Sequence, residues 1–434
     1  YGPHLAFFWG IFGPVAVSLW TILAIWVGFF VLMLWSLARV SMVRDRPWVW
    51  MLAVPVLWMG LEYFRCELYY LKFAWLTPGI AVAASPAGDL VGLLGSYGMG
   101  FAFALAAASV ESGVWKLVFK VSLIWIIVGF LIFCLAIALF LPALGKTRAA
   151  VARRVLIVGI QHEGPSAAQV VRALDAGAAR YPDAALFVMS EYTLDTPPTE
   201  SVTRWCREHG KYLIIGGKQP VVGSSPGITL WADTAFVVDP NGEVVFSQGK
   251  SVPIQFFDDG VPAKEQKVWD SPWGKIGVCI CYDLSYTRVT DELIRQGAQI
   301  IVVPTMDAEK WGPYEHNLHA RIAPLRALEY HVPIVRVGSS GISQFVGAGG
   351  ETLASAPFPG QGEMLAAQIP YYPHANPHSL PLDRRVAPFC AGLTGLTALF
   401  LVTRRFLRRY VPAAHSSRTA LKAGNRGTPP SVSS

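Results

Sequence analysis

Apolar runs long enough to cross a lipid bilayer constrain this chain more than any other feature. The run AVSLWTILAIWVGFFVLMLWSLA, from Ala16 to Ala38, has no charged side chain and as a helix covers a hydrocarbon core of roughly 30 Å. The second run is short, and a longer helix through LEYFRC is the alternative. We therefore predict a polytopic membrane protein, with spans at residues 15–38, 48–60, 89–110, 121–141 and 386–403.

The charge pattern supports a membrane protein and argues against a nucleic-acid partner. Hydrophobic residues make up 53% of the 434 residues, and the net charge of +7 comes from basic side chains beside the spans. Such residues favour the cytoplasmic side, which places the region between the fourth and fifth spans on the opposite face of the membrane, the periplasmic face in a bacterium. The basic residues are Arg39, Arg44, Arg46, Lys116, Lys120, Arg404, Arg405, Arg408 and Arg409; Lys146, Arg148, Arg153 and Arg154 run against this assignment.

Residues 150–372 have the pattern of a soluble α/β domain. Short β-branched runs such as RVLIVGIQ alternate with segments of helical spacing, which predicts a sheet covered by helices. Three reactive side chains follow strands: Glu191, Lys250 and Cys281. A carboxylate, an ammonium and a thiol that converge can carry out nucleophilic catalysis. Alternatively, Glu191 favours a helix N-terminus, Lys250 is a solvated charge and Cys281 is a small buried apolar residue.

Cysteine spacing leaves the nucleophile open. The stretch GKIGVCICYDLSY holds Cys279 and Cys281, which point the same way if one strand runs straight through both. Spacing alone does not choose between them. The six cysteines show no paired pattern, so neither a disulfide framework nor a metal site is predicted.

The segment GVCICYDLSYTRVTDELIRQGAQIIVVPTMDAEKWG resembles the nucleophile region of the nitrilase, or carbon-nitrogen hydrolase, superfamily. That resemblance implies an αββα sandwich with Cys281, the cysteine before Tyr-Asp, as nucleophile. It also implies that Glu191 in VMSEYT is the base and that Lys250 in GKSVPIQFFDDGVP is the lysine of the triad.

Three further segments resemble the membrane branch of that superfamily, the apolipoprotein N-acyltransferases. They are LEYFRCELYYLKFAWLTPG, SPAGDLVGLLGSYGMGF and WGPYEHNLHARIAPLRALEYHVPIVRVGSSGIS. The resemblance implies transfer of an acyl chain from a membrane phospholipid, through a cysteine thioester, to the N-terminal amine of a diacylated apolipoprotein. We expect a monomer in the bilayer, without metal or organic cofactor.

The expected organisation is a transmembrane region at 1–145 with about four spans, a nitrilase-like domain at 150–372, a final span at 386–403 and a disordered tail at 411–434. Members of the family have seven spans before the hydrolase domain and one after it. Because the chain begins at Tyr1 rather than Met, we expect it to be truncated at its N-terminus, with about three spans missing.

Departures from the family pattern lie near the expected site. Asp258 or Asp259 replaces a second glutamate, and Glu315 replaces a glutamine, which adds a charge. Aromatic residues there form either a lid and groove for lipid or ordinary packing; they are Phe256, Phe257 and Trp311.

Two other functions remain open from the sequence. One is a membrane-anchored amidase or nitrilase that hydrolyses a small substrate with the same triad. The other is a non-catalytic relative that binds lipidated proteins, which the altered acidic loop would permit.

Overall fold

The computed structural model describes residues 2–111, 153–221, 230–360, 362–371 and 379–410. The predicted span at 121–141 and the predicted disordered tail at 411–434 lie outside these residues. The helices are α1 (Phe7–Phe12), α2 (Val15–Leu37), α3 (Ser41–Arg44), α4 (Pro47–Tyr63), α5 (Pro78–Ala83), α6 (Asp89–Glu111), α7 (Ala167–Arg180), α8 (Glu200–His209), α9 (Thr287–Arg295), α10 (Pro313–Ala320), α11 (Ile322–Tyr330) and α12 (Asp383–Tyr410).

Four helices of the described part are long and apolar enough to cross a membrane. They are α2, α4 with its continuation to Leu68, α6 and α12. Of the two alternatives for the second predicted span, the structure has the longer helix through LEYFRC, because a π-helical turn at Phe64–Leu68 extends α4. Large apolar side chains on α2 and α12 stay exposed, for example Val31 at 57% and Leu396 at 64%. Since bare apolar helix faces are unfavourable in water, these faces are suited to lipid.

The strands form two six-stranded sheets. The strands are β1 (Arg153–Ile160), β2 (Leu186–Met189), β3 (Tyr212–Pro220), β4 (Trp231–Val238), β5 (Val244–Gly249), β6 (Val268–Ser271), β7 (Gly274–Val278), β8 (Ile300–Thr305), β9 (Ile334–Gly338), β10 (Ser343–Val346), β11 (Thr352–Ala356) and β12 (Met364–Tyr371). Their orders are β12-β1-β2-β3-β4-β5 and β11-β10-β9-β8-β7-β6. The central pairs β1–β2–β3 and β7–β8–β9 are parallel, and the outer pairs are antiparallel.

Side chains of the first sheet alternate between two buried faces. In β1, Val155 and Ile157 face the second sheet, while Val158 and Ile160 pack under α7 and α8. The outer side of the second sheet packs against α9 and α11. Because alternate side chains of the strands are buried on opposite faces, the two sheets lie between two layers of helices. These four layers confirm the predicted nitrilase-like αββα sandwich, which is joined to a region of membrane helices.

A buried chain of charges, which we call the arginine network, connects the last membrane helix to the sandwich. Arg384 on α12 donates to Glu329 on α11 at 2.9 Å, and Glu329 also pairs with Arg326. Arg326 then donates to the backbone carbonyl oxygens of Leu284 at 2.9 Å and Ser285 at 2.6 Å. Every charge of this network has a partner, as burial requires.

A glycine allows α6 and α12 to meet. Gly95 interrupts α6 with φ of +77°, and a Cβ built there would lie 2.1 Å from the carboxylate of Asp383. That carboxylate accepts the backbone N–H of Tyr97 at 2.9 Å. Only glycine satisfies both the backbone angle and the space.

We expect Gly95→Ala to lower the free energy of unfolding by at least about 2 kcal/mol, because it adds left-handed strain and displaces a buried carboxylate. Gly392→Ala is the control, since a Cβ on that helical glycine of α12 meets no atom within 4 Å. The measurement is thermal unfolding of both variants in detergent micelles. Equal losses in the two variants would contradict the steric explanation.

Candidate active site

Cys281 leaves the strand that precedes it. β7 ends at Val278, and Cys281 begins a 3₁₀ turn, Cys281–Ser285, with φ of +50°. The strand therefore does not run through both cysteines, so the condition under which they would share a face is not met. Cys279 stays in the core, whereas Cys281 lines a cavity. Burial and the Glu191 carboxylate raise the pKa of the Cys281 thiol well above its ordinary value, which keeps it protonated at rest.

Asp283 holds this turn against the loop that follows β5. Its buried carboxylate accepts backbone N–H groups from Ser251 at 3.0 Å, Val252 at 2.7 Å and Ile280 at 3.2 Å. Burial raises the pKa of Asp283 to about 6 in spite of these donors. One side chain thus positions both the cysteine turn and the lysine loop.

Lys250 lies at the centre of a buried acidic cluster. Its Nζ is 2.7 Å from Glu191 Oε1, 2.7 Å from Asp259 Oδ2 and 3.5 Å from Asp233 Oδ2. Burial alone would lower the pKa of Lys250, but the carboxylates of Glu191 and Asp259 raise it well above its ordinary value. The lysine is therefore a fixed cation.

Glu191 connects the lysine to the cysteine. It follows β2, and its second carboxylate oxygen accepts the backbone N–H of Met306 at 2.6 Å. The carbonyl oxygen of the same Met306 is 3.7 Å from Cys281 Sγ. The structure thus brings together the three residues that the sequence placed after separate strands.

Asp233 is a member of the cluster that sequence reasoning missed. It lies inside β4, faces the second sheet and is 1% exposed. Burial and the neighbouring Glu191 raise the pKa of Asp233 well above its ordinary value, which favours the neutral carboxyl. The signal in the sequence is an acid in an otherwise apolar strand, WADTAFVV, where an unpaired charge would be costly.

The structure separates the two adjacent aspartates. Asp259 is buried, pairs with Lys250 and accepts hydrogen bonds from the Ile254 N–H at 2.7 Å and the Tyr192 hydroxyl. Asp258 is exposed to solvent. The shorter acid still reaches the lysine because the loop carries Asp259 inwards.

A second buried polar cluster lies on the other side of the cysteine. Asp307 pairs with Arg336, and its Oδ1 is 2.7 Å from His319 Nδ1. Although burial opposes ionisation, His319 and Arg336 hold the pKa of Asp307 well below its usual range. Burial and Asp307 raise the pKa of Glu315 well above its usual range, which favours its neutral form. Trp75 stacks on His319 with ring centres 4.6 Å apart.

An apolar cavity opens beside Cys281. Its walls come from the N-terminal helices and from the loops after β5 and β8, and they are lined by Phe7, Phe8, Ile11, Phe12, Leu19, Ile22, Leu23, Leu71, Lys72, Phe73, Trp75, Ile254, Gln255, Phe256, Phe257, Cys281, Tyr282, Asp307, Trp311, Glu315 and His319. Phe257 packs on Trp311 at 5.9 Å and on Phe12 at 5.8 Å between ring centres. Phe256 is 65% exposed with φ of +72°. Phe256, Phe257 and Trp311 thus line the cavity.

Three groups of buried side chains have metal-ligand chemistry. They are Cys281, Asp307 and His319; Asp307, Glu315 and His316; and Glu191, Asp233 and Asp259. Arg336 pairs with the acid common to the first two groups, and Lys250 pairs with the third. The protein's own cations therefore balance these acids.

Two family models match this chain in separate regions. The carbon-nitrogen hydrolase model matches residues 167–371, which contain the acidic cluster and Cys281. The model of the apolipoprotein N-acyltransferase N-terminal domain matches residues 3–109. The chain is thus a member of the carbon-nitrogen hydrolase superfamily. Because it joins both regions, it belongs within that superfamily to the apolipoprotein N-acyltransferase family.

Similar proteins include acyltransferases and amidases. The apolipoprotein N-acyltransferase of Bdellovibrio bacteriovorus is 28% identical over 188 residues, which cover 35% of this chain and 34% of that protein. The one from Rhizobium rhizogenes is 27% identical over 177 residues, covering 35% and 32%. Deaminated glutathione amidase of Dictyostelium discoideum is 28% identical over 152 residues, covering 31% and 49%. The chain thus spans between a third and a half of the length of these relatives.

Among solved structures, Saccharomyces cerevisiae Nit3, a nitrilase-superfamily member, is 19% identical with a TM-score of 0.44 and covers 50% of this chain and 90% of its own. An amidase from Nesterenkonia is 21% identical with a TM-score of 0.42, covering 51% and 93%.

We expect Asp283→Ala to lower the free energy of unfolding by at least about 3 kcal/mol, because it leaves three buried backbone N–H groups without an acceptor. The exposed Asp270→Ala is the control and should change stability by no more than about 0.5 kcal/mol. Denaturant unfolding in micelles compares the two. A loss at position 283 as small as that of the control would show that the carboxylate does not hold the two loops.

Proposed function

We propose that this protein is an apolipoprotein N-acyltransferase that carries an acyl chain on Cys281. The observation that supports this proposal most is the apolar cavity beside Cys281, because one of its walls comes from membrane helix α2. A nucleophile that faces such a cavity is placed to meet a lipid ester without drawing the acyl chain into water.

The first half-reaction transfers the acyl chain from a phospholipid to the enzyme. Glu191 accepts the proton of the Cys281 thiol as sulfur attacks the ester carbonyl, and Lys250 stabilises the oxyanion. The carbon–oxygen bond then breaks, and Glu191 returns the proton to the leaving alkoxide, which departs as a lysophospholipid. Because the resting thiol has a raised pKa, proton transfer accompanies attack.

The second half-reaction transfers the chain to the acceptor. The unprotonated N-terminal amine of a diacylated apolipoprotein attacks the thioester carbonyl and gives a proton to Glu191. The carbon–sulfur bond breaks, an amide forms, and Glu191 reprotonates Cys281. The reaction is balanced without a metal or organic cofactor.

The membrane region has a physical purpose in this scheme. Moving an acyl chain from lipid into water costs about 0.8 kcal/mol for each CH₂. Because the cavity extends from α2 to Cys281, the acyl chains of donor and acceptor both avoid that cost. We assign Phe256, Phe257 and Trp311 to the wall that keeps water from the thioester, since hydrolysis would waste the donor.

The basic helix ends support an extracytoplasmic site. Arg404 near the end of α12 donates to the backbone carbonyl of Arg39 after α2 at 3.2 Å, so two basic span ends meet. The cavity lies towards the other end of α2, where Leu19 and Leu23 line it. Because basic residues favour the cytoplasmic side, we place these arginines in the cytoplasm and residues 150–372 in the periplasm. We also propose that the protein acts as a monomer, with the whole site in a single chain.

We expect wild type in phospholipid micelles to gain one acyl mass and Cys281→Ala to gain none. Cys279→Ala is the matched control, since this buried neighbour does not line the cavity. Intact-protein mass spectrometry measures the adduct, and added diacylated lipopeptide should remove it. A wild type that acquires no acyl mass from any phospholipid would overturn the transferase mechanism. Acylation followed by release of free fatty acid, with or without lipopeptide, would identify a hydrolase instead.

We expect Asp259→Ala to slow acyl-enzyme formation on the order of 100-fold, because Lys250 would lose the acid that positions it beside Glu191. Asp258→Ala is the matched control and should leave the rate within about twofold, since this side chain is exposed. Stopped time courses with mass detection give both rates. Similar rates in the two variants would remove Asp259 from the mechanism.

A further inference from the structure

His319 lines the cavity beside Cys281. Sγ of Cys281, a carboxylate oxygen of Asp307 and a ring nitrogen of His319 lie within 4.8 Å of one another. Nδ1 of His319 is 2.7 Å from Asp307 Oδ1. Nε2 is buried and has no hydrogen-bond partner among the residues that the structure describes.

The environment selects one tautomer of His319. Asp307 is ionised beside Arg336, so it can only accept a hydrogen bond from the histidine. Nη2 of Arg336 also lies 3.1 Å from Nδ1, but Asp307 makes the closer contact at 2.7 Å and has no hydrogen to donate. Nδ1 therefore carries the hydrogen, and Nε2 keeps a lone pair. Trp75 stacks on the ring and fixes its plane. A buried histidine oriented by a carboxylate has the arrangement of a general base.

The proposed acyl transfer needs a base in addition to Glu191. Alpha-amino groups have a pKa near 8, so roughly nine in ten are ammonium ions at about pH 7. An ammonium has no lone pair, and it must lose one proton before it attacks and another afterwards. Glu191 takes the second proton and returns it to sulfur, which leaves the first proton without an acceptor.

The other titratable side chains of the cavity do not fit this task. The raised pKa of Glu315 favours its protonated form, which has no free carboxylate to accept a proton, and Asp307 is a weak base because its pKa is lowered. The ammonium of Lys72 lies over the ring of Tyr286 at 5.7 Å. Burial lowers the pKa of His319, so the imidazole is neutral and able to accept a proton. The titratable groups that face it are Asp307, Arg336, Glu191, Glu315, His316 and Cys281.

We propose that Nε2 of His319 removes the proton from the acceptor's ammonium group before the amine attacks the Cys281 thioester. This inference rests on the proposed function. The ammonium N–H bond breaks, the neutral amine gains its lone pair, and His319 becomes an imidazolium paired with Asp307. After the amide product leaves, the imidazolium loses the proton to water.

The test uses acyl-enzyme made from phospholipid and two nucleophiles. Diacylated lipopeptide arrives mainly as an ammonium ion, whereas hydroxylamine is largely unprotonated near neutral pH. For His319→Gln we expect the ratio of lipopeptide to hydroxylamine discharge rates at about pH 7 to fall tenfold or more from that of wild type. Loss of packing alone would slow both nucleophiles together and leave the ratio unchanged.

His209→Gln is the matched control. His209 also stacks on a tryptophan, Trp205, at 4.7 Å, but it lies on α8 at the outer face of the sandwich. We expect its discharge ratio to equal that of wild type. An unchanged ratio in His319→Gln would overturn the assignment of His319 while leaving the thioester mechanism intact.

The pH profile of wild type tests the same inference without a substitution. With His319 as base, discharge by saturating lipopeptide should stay level from about pH 8 to about pH 7. A rate that falls about fivefold over that unit, as the free-amine fraction does for a pKa near 8, would mean that only the free amine reacts, and would overturn the proposal. Failure of wild type to form acyl-enzyme is a different result, which removes the proposed function and this inference together.

Discussion

The arginine network that runs from Arg384 through Glu329 to Arg326 is the interaction on which the rest of the structure depends. A buried charge costs several kcal/mol unless it is paired, and removing one partner of such a pair typically costs about 3–5 kcal/mol. The network begins on the last membrane helix and ends on the carbonyl oxygens of Leu284 and Ser285, in the turn that carries Cys281. Membrane anchoring and nucleophile position are therefore energetically connected.

Much of the fold could be predicted from local pattern. Apolar length predicted the spans α2, α6 and α12, and β-branched runs alternating with helical spacing predicted a layered α/β region. The helix that contains the predicted last span begins at Asp383, whose carboxylate accepts the N–H of Tyr97 on α6. Such a contact joins residues far apart in sequence, so no local pattern reveals it.

The site was predictable only in part. Resemblance named Glu191, Lys250 and Cys281, and the fold places them around Met306 and a common acidic cluster. Asp233 and His319 were missed because their importance comes from which strands and helices become neighbours. Backbone strain was not predictable from the sequence either. Four non-glycine residues of the described part have a positive φ: Tyr192, Phe256, Cys281 and His331. Three of them lie at the site, where the surrounding contacts maintain a costly conformation.

One wall of the cavity comes from residues about 250 positions earlier in the chain than the nucleophile, on α1 and α2. A sandwich alone would keep the acidic cluster and the cysteine but would leave that side open to water. The difference between a soluble amidase and a lipid-dependent transferase then need not lie in the reactive groups. In the proposed reaction, the preference for an amine over water as second substrate can arise from helices that replace solvent with hydrocarbon beside the cysteine.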